Sequence, residues 1–352
     1  MNKKVVLFTE YIDVPYDEGI KKTVYNLYST LNKKYNLLVF CRKGLEGKKN
    51  VKEINANKLF YNKEIKQNIK KFKPDILIYF PFASSTFAGY LRMKVISKYY
   101  YQSKKILIAL QPKPLKGWQQ FLVNFIKPQM VLTPSLDLKH FLDLKRIPNQ
   151  LFPLYTDLDN FKPLVAQSVQ NELRKKYNLP ENKYIISHIG HLNEGRNLLS
   201  LIPLQEAGYQ VIIIGSSSTP IDALGPESLK DKLKKSGIII IEKYIDKIEE
   251  IYQLSDLYIF PVVHKTGSIG TPLSILEARA CGIPVLTTDF GSIQEFLGND
   301  HDGIFYSKPE HFLAKLNEIK KNNSSEFTKT KISQLNEKYF NTIFNTIERI
   351  KY

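Results

Sequence analysis

Thr266-Gly267-Ser268-Ile269-Gly270-Thr271-Pro272-Leu273-Ser274-Ile275-Leu276-Glu277-Ala278-Arg279-Ala280-Cys281-Gly282-Ile283-Pro284 holds the most informative pattern in the chain. A small, glycine-rich loop runs into a helix expected to begin near Pro272, where proline is tolerated at the first helical position. The first turn of such a helix offers free amides and a positive dipole end, which suits a phosphate. Glu277 lies within two turns of that start and can accept hydrogen bonds from ribose hydroxyls. An ordinary connection carrying a solvated glutamate fits the segment equally well.

Outward from this segment, Leu257–Phe260 and Pro284–Thr287 are short apolar runs on either side, so the unit reads strand, loop, helix, strand. The same alternation fills the chain. Val5–Phe8, Asn36–Phe40, Asp75–Tyr79, Lys105–Leu110 and Gln129–Thr133 form one set. Tyr184–Ile189, Val211–Ile214, Gly237–Ile241, Leu257–Phe260 and Pro284–Thr287 form another. Short apolar strands separated by helical stretches predict parallel sheets covered on both faces. Two sets predict two Rossmann-like α/β domains. The join is expected across Phe161–Ser168, giving domains at 1–164 and 165–325, with residues 326–352 as a closing helix.

A chain of 352 residues suits two such domains, and 43% hydrophobic with 24% charged residues is globular composition. Cys41 and Cys281 are too few for a disulfide scaffold, and six scattered histidines give no metal-ligand spacing. Neither a cofactor nor a metal is expected. The run Val5–Phe8 is too short for a signal-peptide core, and no stretch approaches the roughly 20 apolar residues of a membrane span. The net charge of +17 is uneven: residues 1–165 carry 29 Lys and Arg against 12 Asp and Glu, whereas residues 166–352 carry 22 of each. Such asymmetry points to an anionic partner for the first half. Nucleic acid is not the expected partner, because no recognition helix or aromatic-basic repeat is present.

The segment Glu277-Ala278-Arg279-Ala280-Cys281-Gly282-Ile283-Pro284 resembles the nucleotide-sugar motif of the retaining glycosyltransferases of family four. Ile251–Pro261 is similar to that family's approach to the site. The resemblance implies the GT-B arrangement, two Rossmann-like domains with a cleft between them, and a metal-independent, retaining hexosyltransferase using a nucleoside-diphosphate sugar. It implies that Glu277 binds the donor ribose and that the backbone at Gly270, Thr271, Pro272 and Leu273 faces sugar and phosphates. The family's first motif glutamate is replaced by Ile269.

Ile189-Gly190-His191-Leu192-Asn193-Glu194-Gly195-Arg196-Asn197-Leu198 resembles the family's diphosphate-holding turn, with Arg196 and His191 at its two cation positions and Gly190 ahead of them. In the first half, Asp17–Leu27 resembles the glycine loop after the first strand, reduced here to Gly19. Gln111 stands where many members carry an active-site histidine; it can hydrogen-bond but cannot act as acid or base. In the family the last helix returns to the first domain, which is expected of Glu326–Tyr352. A noncatalytic, glycosyltransferase-like subunit and a sugar-phosphate synthase with a soluble acceptor remain alternatives.

Finally, Trp118, Phe121, Leu122, Phe125 and Ile126 fall on one helical face, flanked by Lys113, Lys116 and Lys127. Such a stripe is more often core-facing than membrane-facing. The charge arithmetic predicts peripheral attachment to an anionic membrane surface, the cytoplasmic leaflet, and an acceptor on a lipid carrier or growing surface glycan.

Overall fold

The structure, a computed structural model, describes residues 2–16, 19–55, 57, 59–215, 228–264, 268–298, 303–321 and 330–350. It divides into two units, residues 1–155 with 337–352, and residues 156–336.

The first unit is built on a seven-stranded parallel sheet: β1 (Lys4–Thr9), β2 (Asn36–Cys41), β3 (Val51–Glu53), β4 (Ile76–Phe80), β5 (Lys104–Ile108), β6 (Met130–Thr133) and β7 (Asn149–Leu151). Their spatial order is β3-β2-β1-β4-β5-β6-β7. Strand β1 lies between β2 and β4, with Val5 opposite both Leu37 and Ile76. Val5, Val6, Leu7 and Phe8 are all buried, which explains an uninterrupted apolar run where a one-faced sheet would alternate.

The second unit carries β8 (Ile185–Gly190), β9 (Gln210–Gly215), β10 (Ile239–Ile241), β11 (Leu257–Phe260), β12 (Val285–Thr287) and β13 (Ile304–Tyr306). Their order is β10-β9-β8-β11-β12-β13, also parallel. Each sheet therefore runs outward from its first strand in one direction and then reverses, between β1 and β4 and between β8 and β11. Open α/β sheets receive ligands at such reversals, beyond the carboxyl ends of the strands.

Strands β3, β7 and β13 were not expected from the sequence. Each has only three residues and lies at a sheet edge; β3 and β7 are mostly polar, and β13, although it reads Ile304-Phe305-Tyr306, is too short to stand out as an apolar run.

The division between units falls at Tyr155/Thr156, rather than at 164/165. Residues 156–164 side with the second unit through specific contacts. Phe161 meets Tyr252 edge to face, Gln253 donates to the Lys162 carbonyl at 2.9 Å, and Pro163 fills the space left by Gly282. Pro163 is thus a packing residue within that unit.

The last helix, Thr330–Arg349, belongs to the first unit from Glu337 on. There Tyr339 packs against Phe152 and Tyr155, and Glu348 pairs with Lys3 at 2.7 Å. Of the expected closing segment, residues 326–329 and 351–352 lie outside the described residues. The stripe on helix Gly117–Ile126 departs from the core-facing expectation: only Val123 of that helix is fully buried, and Trp118, Phe121, Leu122 and Phe125 face outward.

Candidate functional site

At the carboxyl end of β8 the chain leaves the sheet at Gly190 and forms two short 3₁₀ turns, Glu194–Arg196 and Leu198–Leu201. Leu192, Leu198 and Leu201 anchor this segment in the core. Asn197 joins the turns with φ of 54°, a left-handed conformation that asparagine tolerates better than most residues. Its side-chain amide donates to the Pro261 carbonyl at 3.1 Å and ties the segment to the end of β11.

This local fold withdraws the Arg196 guanidinium from water. Arg196 is buried, and its Nε has no hydrogen-bond partner among the described residues. Nor does a carboxylate pair with it among those residues. Its Cζ lies 5.9 Å from the Phe260 ring centroid. Burial pulls its pKa down, yet a guanidinium remains charged at any ordinary pH. Gly190 makes the room: a Cβ there would lie 3.1 Å from His188 Nε2 and 3.5 Å from Arg196 Cζ. His191, expected as the second cation, follows directly and is half-buried.

His188 escaped the sequence reading, although a histidine inside an otherwise apolar strand was a visible signal. It is fully buried, and its Nδ1 lies 2.9 Å from the Ile259 carbonyl. The carbonyl can only accept, so Nδ1 carries the hydrogen and Nε2 presents a lone pair. Burial, reinforced by the positive charge of Arg196 and by His191, pushes its pKa down to about 3, and the ring is neutral. Its Nε2, Ser187 Oγ and Asn193 Oδ1 are, like Arg196 Nε, buried without partners among the described residues. Of these, His188 Nε2 and the Arg196 guanidinium both border the space above Gly190, and buried polar atoms rarely go without a partner.

The second group follows β11. The Gly270 carbonyl accepts from the Ser292 amide at 2.7 Å, and Thr288 Oγ1 donates to the Val262 carbonyl. Gly291 permits the first contact: its φ is +62°, and a Cβ would fall 2.3 Å from the Gly270 oxygen. Thr271, Pro272 and Leu273 are buried, and helix Leu273–Ala280 begins one residue after the expected start, with Pro272 as its cap. Proline supplies no side-chain hydrogen bond, so no side chain caps the first turn. Thr266 and Gly267 lie outside the described residues.

Glu277 is buried, which overturns the solvated-glutamate reading. Tyr252 donates to its Oε2 at 2.9 Å, and burial together with this carboxylate drives the tyrosine pKa well up. Tyr252 also meets Tyr258 edge to face, and Tyr258 donates weakly, at 3.4 Å, to the Ile189 carbonyl. The two groups thus share one buried aromatic support.

The remaining expected residues belong to the first unit. Gly19 opens helix Gly19–Lys34 and is exposed, with its carbonyl accepting from Thr23 Oγ1 at 2.7 Å. Asp17 and Glu18 lie outside the described residues. Gln111 follows β5, and its carbonyl is clasped by Ser84 Oγ at 2.7 Å and Ser85 Oγ at 2.8 Å. At the β1/β4 reversal sits a buried carboxylate the sequence reading missed. Glu10 accepts from Arg92 at 2.7 Å and from the Tyr79 hydroxyl and Phe82 amide at 2.8 Å each. Its partners lie 69 to 82 positions away, so no local pattern reveals it. Among the described residues no three His, Cys, Asp or Glu gather as a metal-binding group, and no helix is long and apolar enough to cross a membrane.

Residues 169–334 match the family model described as Glycosyl transferases group 1. The lipopolysaccharide core biosynthesis mannosyltransferase LpsB of Rhizobium meliloti (strain 1021) is 25% identical over 200 residues, 53% of this chain and 53% of that protein. The UDP-Gal:alpha-D-GlcNAc-diphosphoundecaprenol alpha-1,3-galactosyltransferase of Escherichia coli is 25% identical over 181 residues, 48% of this chain and 42% of that protein. The chain thus matches about half the length of these curated relatives. The crystal structure of Anabaena HepE in complex with UDP-glucose superposes with a TM-score of 0.72 and 13% identity, covering 98% of each chain. That likeness shows the fold: GT-B, with two Rossmann domains.

Proposed function

We propose that the chain, whose residues 169–334 match the glycosyl transferases group 1 family model, moves a hexosyl group from a nucleoside-diphosphate sugar to an acceptor hydroxyl, retaining the anomeric configuration. The acceptor in this reading is lipid-linked or a growing surface glycan, met at the inner face of the cell membrane. One observation carries the donor side: Arg196 is a buried cation without a carboxylate partner among the described residues. A charge held out of water calls for an opposite charge, and a diphosphate supplies it with oxygens matched to the guanidinium fork. The galactosyltransferase of E. coli, whose name gives a UDP-sugar donor and a diphosphoundecaprenol acceptor, and the UDP-glucose held by HepE support the same reading.

In the proposed reaction the bond between the anomeric carbon and the diphosphate oxygen breaks, and the acceptor oxygen bonds to that carbon on the same face. The hydroxyl proton passes to the departing diphosphate. Arg196, His191 and the amides of Gly270, Thr271 and Leu273 stabilise the charge that grows on the leaving group, with no metal in the step. Glu277, oriented by Tyr252, accepts hydrogen bonds from the ribose. Gly19 presents the start of its helix to the donor, and Gln111 hydrogen-bonds the sugar.

A noncatalytic subunit is the second reading, favoured by Ile269 in place of a motif glutamate and by Gln111. A thermal-shift panel of nucleotides and nucleotide sugars, followed by product analysis, tests both. A ligand at 100 times its dissociation constant stabilises by about 2.7 kcal/mol. No response to any nucleotide overturns the donor site. A response without hydrolysis or transfer selects the noncatalytic reading.

A further inference from the structure

Helix Gly117–Ile126 is built inside out. Trp118, Phe121, Leu122 and Phe125 are 57%, 62%, 39% and 64% exposed, whereas Gln119 and Gln120 are half-buried. The two glutamines are used in the helix's own first turn: Gln119 Oε1 accepts from the Lys116 amide at 2.9 Å, and Gln120 Nε2 donates to the Leu115 carbonyl at 3.1 Å. Val123 alone reaches the core fully. The outward residues stand at i, i+3, i+4 and i+7, one row about 10 Å long. Trp118 is braced edge to face on Phe87 at 5.2 Å, and Phe121 on Phe125 at 5.3 Å. Water gains nothing from such a surface.

The sequence around the row is one-sided in charge, although Arg92 within it is paired with Glu10. No Asp or Glu occurs between Asp75 and Asp137, a stretch that holds Arg92, Lys94, Lys98, Lys104, Lys105, Lys113, Lys116 and Lys127. Lys116 and Lys127, at the two ends of the helix, are exposed. A second copy docking here would set this acid-free stretch against itself, at a cost in like-charge repulsion. An anionic surface that also accepts aromatic rings meets both requirements at once.

We propose that helix Gly117–Ile126 is a membrane-docking element, which seats Trp118, Phe121, Leu122 and Phe125 in the headgroup region of an anionic bilayer while Lys116 and Lys127 hold the headgroups. Aromatic side chains with apolar neighbours and lysine flanks suit that interface. The inference deepens the lipid-side acceptor proposed above and rests on that reading for its biological setting, but docking itself requires no donor chemistry.

Trp118 is the only tryptophan of the chain, so its emission reports this helix alone. With the full chain at low salt, phosphatidylglycerol/phosphatidylcholine vesicles should shift the emission to the blue, and brominated acyl chains should quench it. Pure phosphatidylcholine should do neither. Phe121→Ser combined with Phe125→Ser should lower partition at least 10-fold and leave the thermal midpoint in place, because both rings are exposed. Unchanged emission on anionic vesicles overturns the proposal. So does binding that survives the double substitution without quenching. Self-association that the double substitution abolishes, with no lipid response, overturns it in favour of a second copy. UDP thermal shifts on the same preparations separate the two readings: lost quenching with a retained UDP response sinks only the docking helix, and the converse sinks only the donor site.

Discussion

At Arg196 the protein holds a full positive charge out of water with no carboxylate to answer it among the described residues. Desolvation of an ion costs several kcal/mol after relaxation, so the unliganded site is an unfavourable arrangement held in place by its surroundings. Arg196→Met keeps an apolar stem and removes the charge. The unliganded variant should melt at or above the wild-type midpoint, lose its UDP-induced shift and slow transfer roughly 100- to 1,000-fold. A lower midpoint with an intact UDP response would show that Arg196 is structural. His188 adds a pH dependence. Its folded pKa of about 3 lies below the ordinary 6.5, so between those values the unfolded chain binds a proton that the folded protein does not. Stability from this group is complete above about 6.5 and falls as pH drops toward 3, at up to about 1.4 kcal/mol per pH unit. Denaturant unfolding between pH 6.5 and 4 should therefore have a shallower pH slope in His188→Gln. Parallel slopes would mean that the ring is protonated in the folded protein.

At the scale of elements, the loop before helix Leu273–Ala280 is shaped by a turn elsewhere in the unit. Gly291, with φ of +62°, lets the Ser292 amide reach the Gly270 carbonyl. In Gly291→Ala the added Cβ would fall 2.3 Å from that oxygen, so the Gly270 strand of the loop must move. The expected cost is about 1–3 kcal/mol in stability, accompanied by weaker UDP binding in calorimetry. Wild-type affinity in a destabilised protein would separate the loop from the donor site. The last helix offers a second test. Tyr339 is buried against Phe152 and Tyr155, and Tyr339→Ala should cost roughly 3–5 kcal/mol, as for other large aromatic truncations. A loss under about 1 kcal/mol, well below that range, would show that Glu337–Arg349 contributes little to the first unit.

For the whole molecule, the structure sharpens the charge asymmetry. Residues 1–155 and 337–352 carry 31 Lys and Arg against 12 Asp and Glu, while residues 156–336 carry 20 against 22. The first unit holds all of the excess and the second is slightly acidic. In the docking proposal, long-range attraction to an anionic surface belongs to the unit as a whole, whereas insertion belongs to one helix. Salt should separate the two. The Debye length shrinks from about 10 Å at 0.1 M to about 3 Å at 1 M. Stopped-flow association with phosphatidylglycerol vesicles should slow steeply over that range, while Trp118 emission in the bound state stays the same. Salt-independent association would make the charge excess irrelevant to docking.

The sequence by itself determined the two parallel sheets, the motif running into Glu277 and the turn bearing Arg196. Uninterrupted apolar runs such as Val5–Phe8 and Leu257–Phe260 record burial on both faces, and a glycine-rich loop ahead of a helix is a local feature. Edge strands such as Val51–Glu53 left no trace, because three half-exposed residues bury too little to constrain composition. Only tertiary structure decided that Glu277 is buried, that residues 156–164 side with the second unit, and that Glu10 meets Arg92 across 82 positions. It also turned the Trp118 stripe outward. Periodicity states that two faces of a helix differ, but which face meets water depends on what the rest of the chain lays over it.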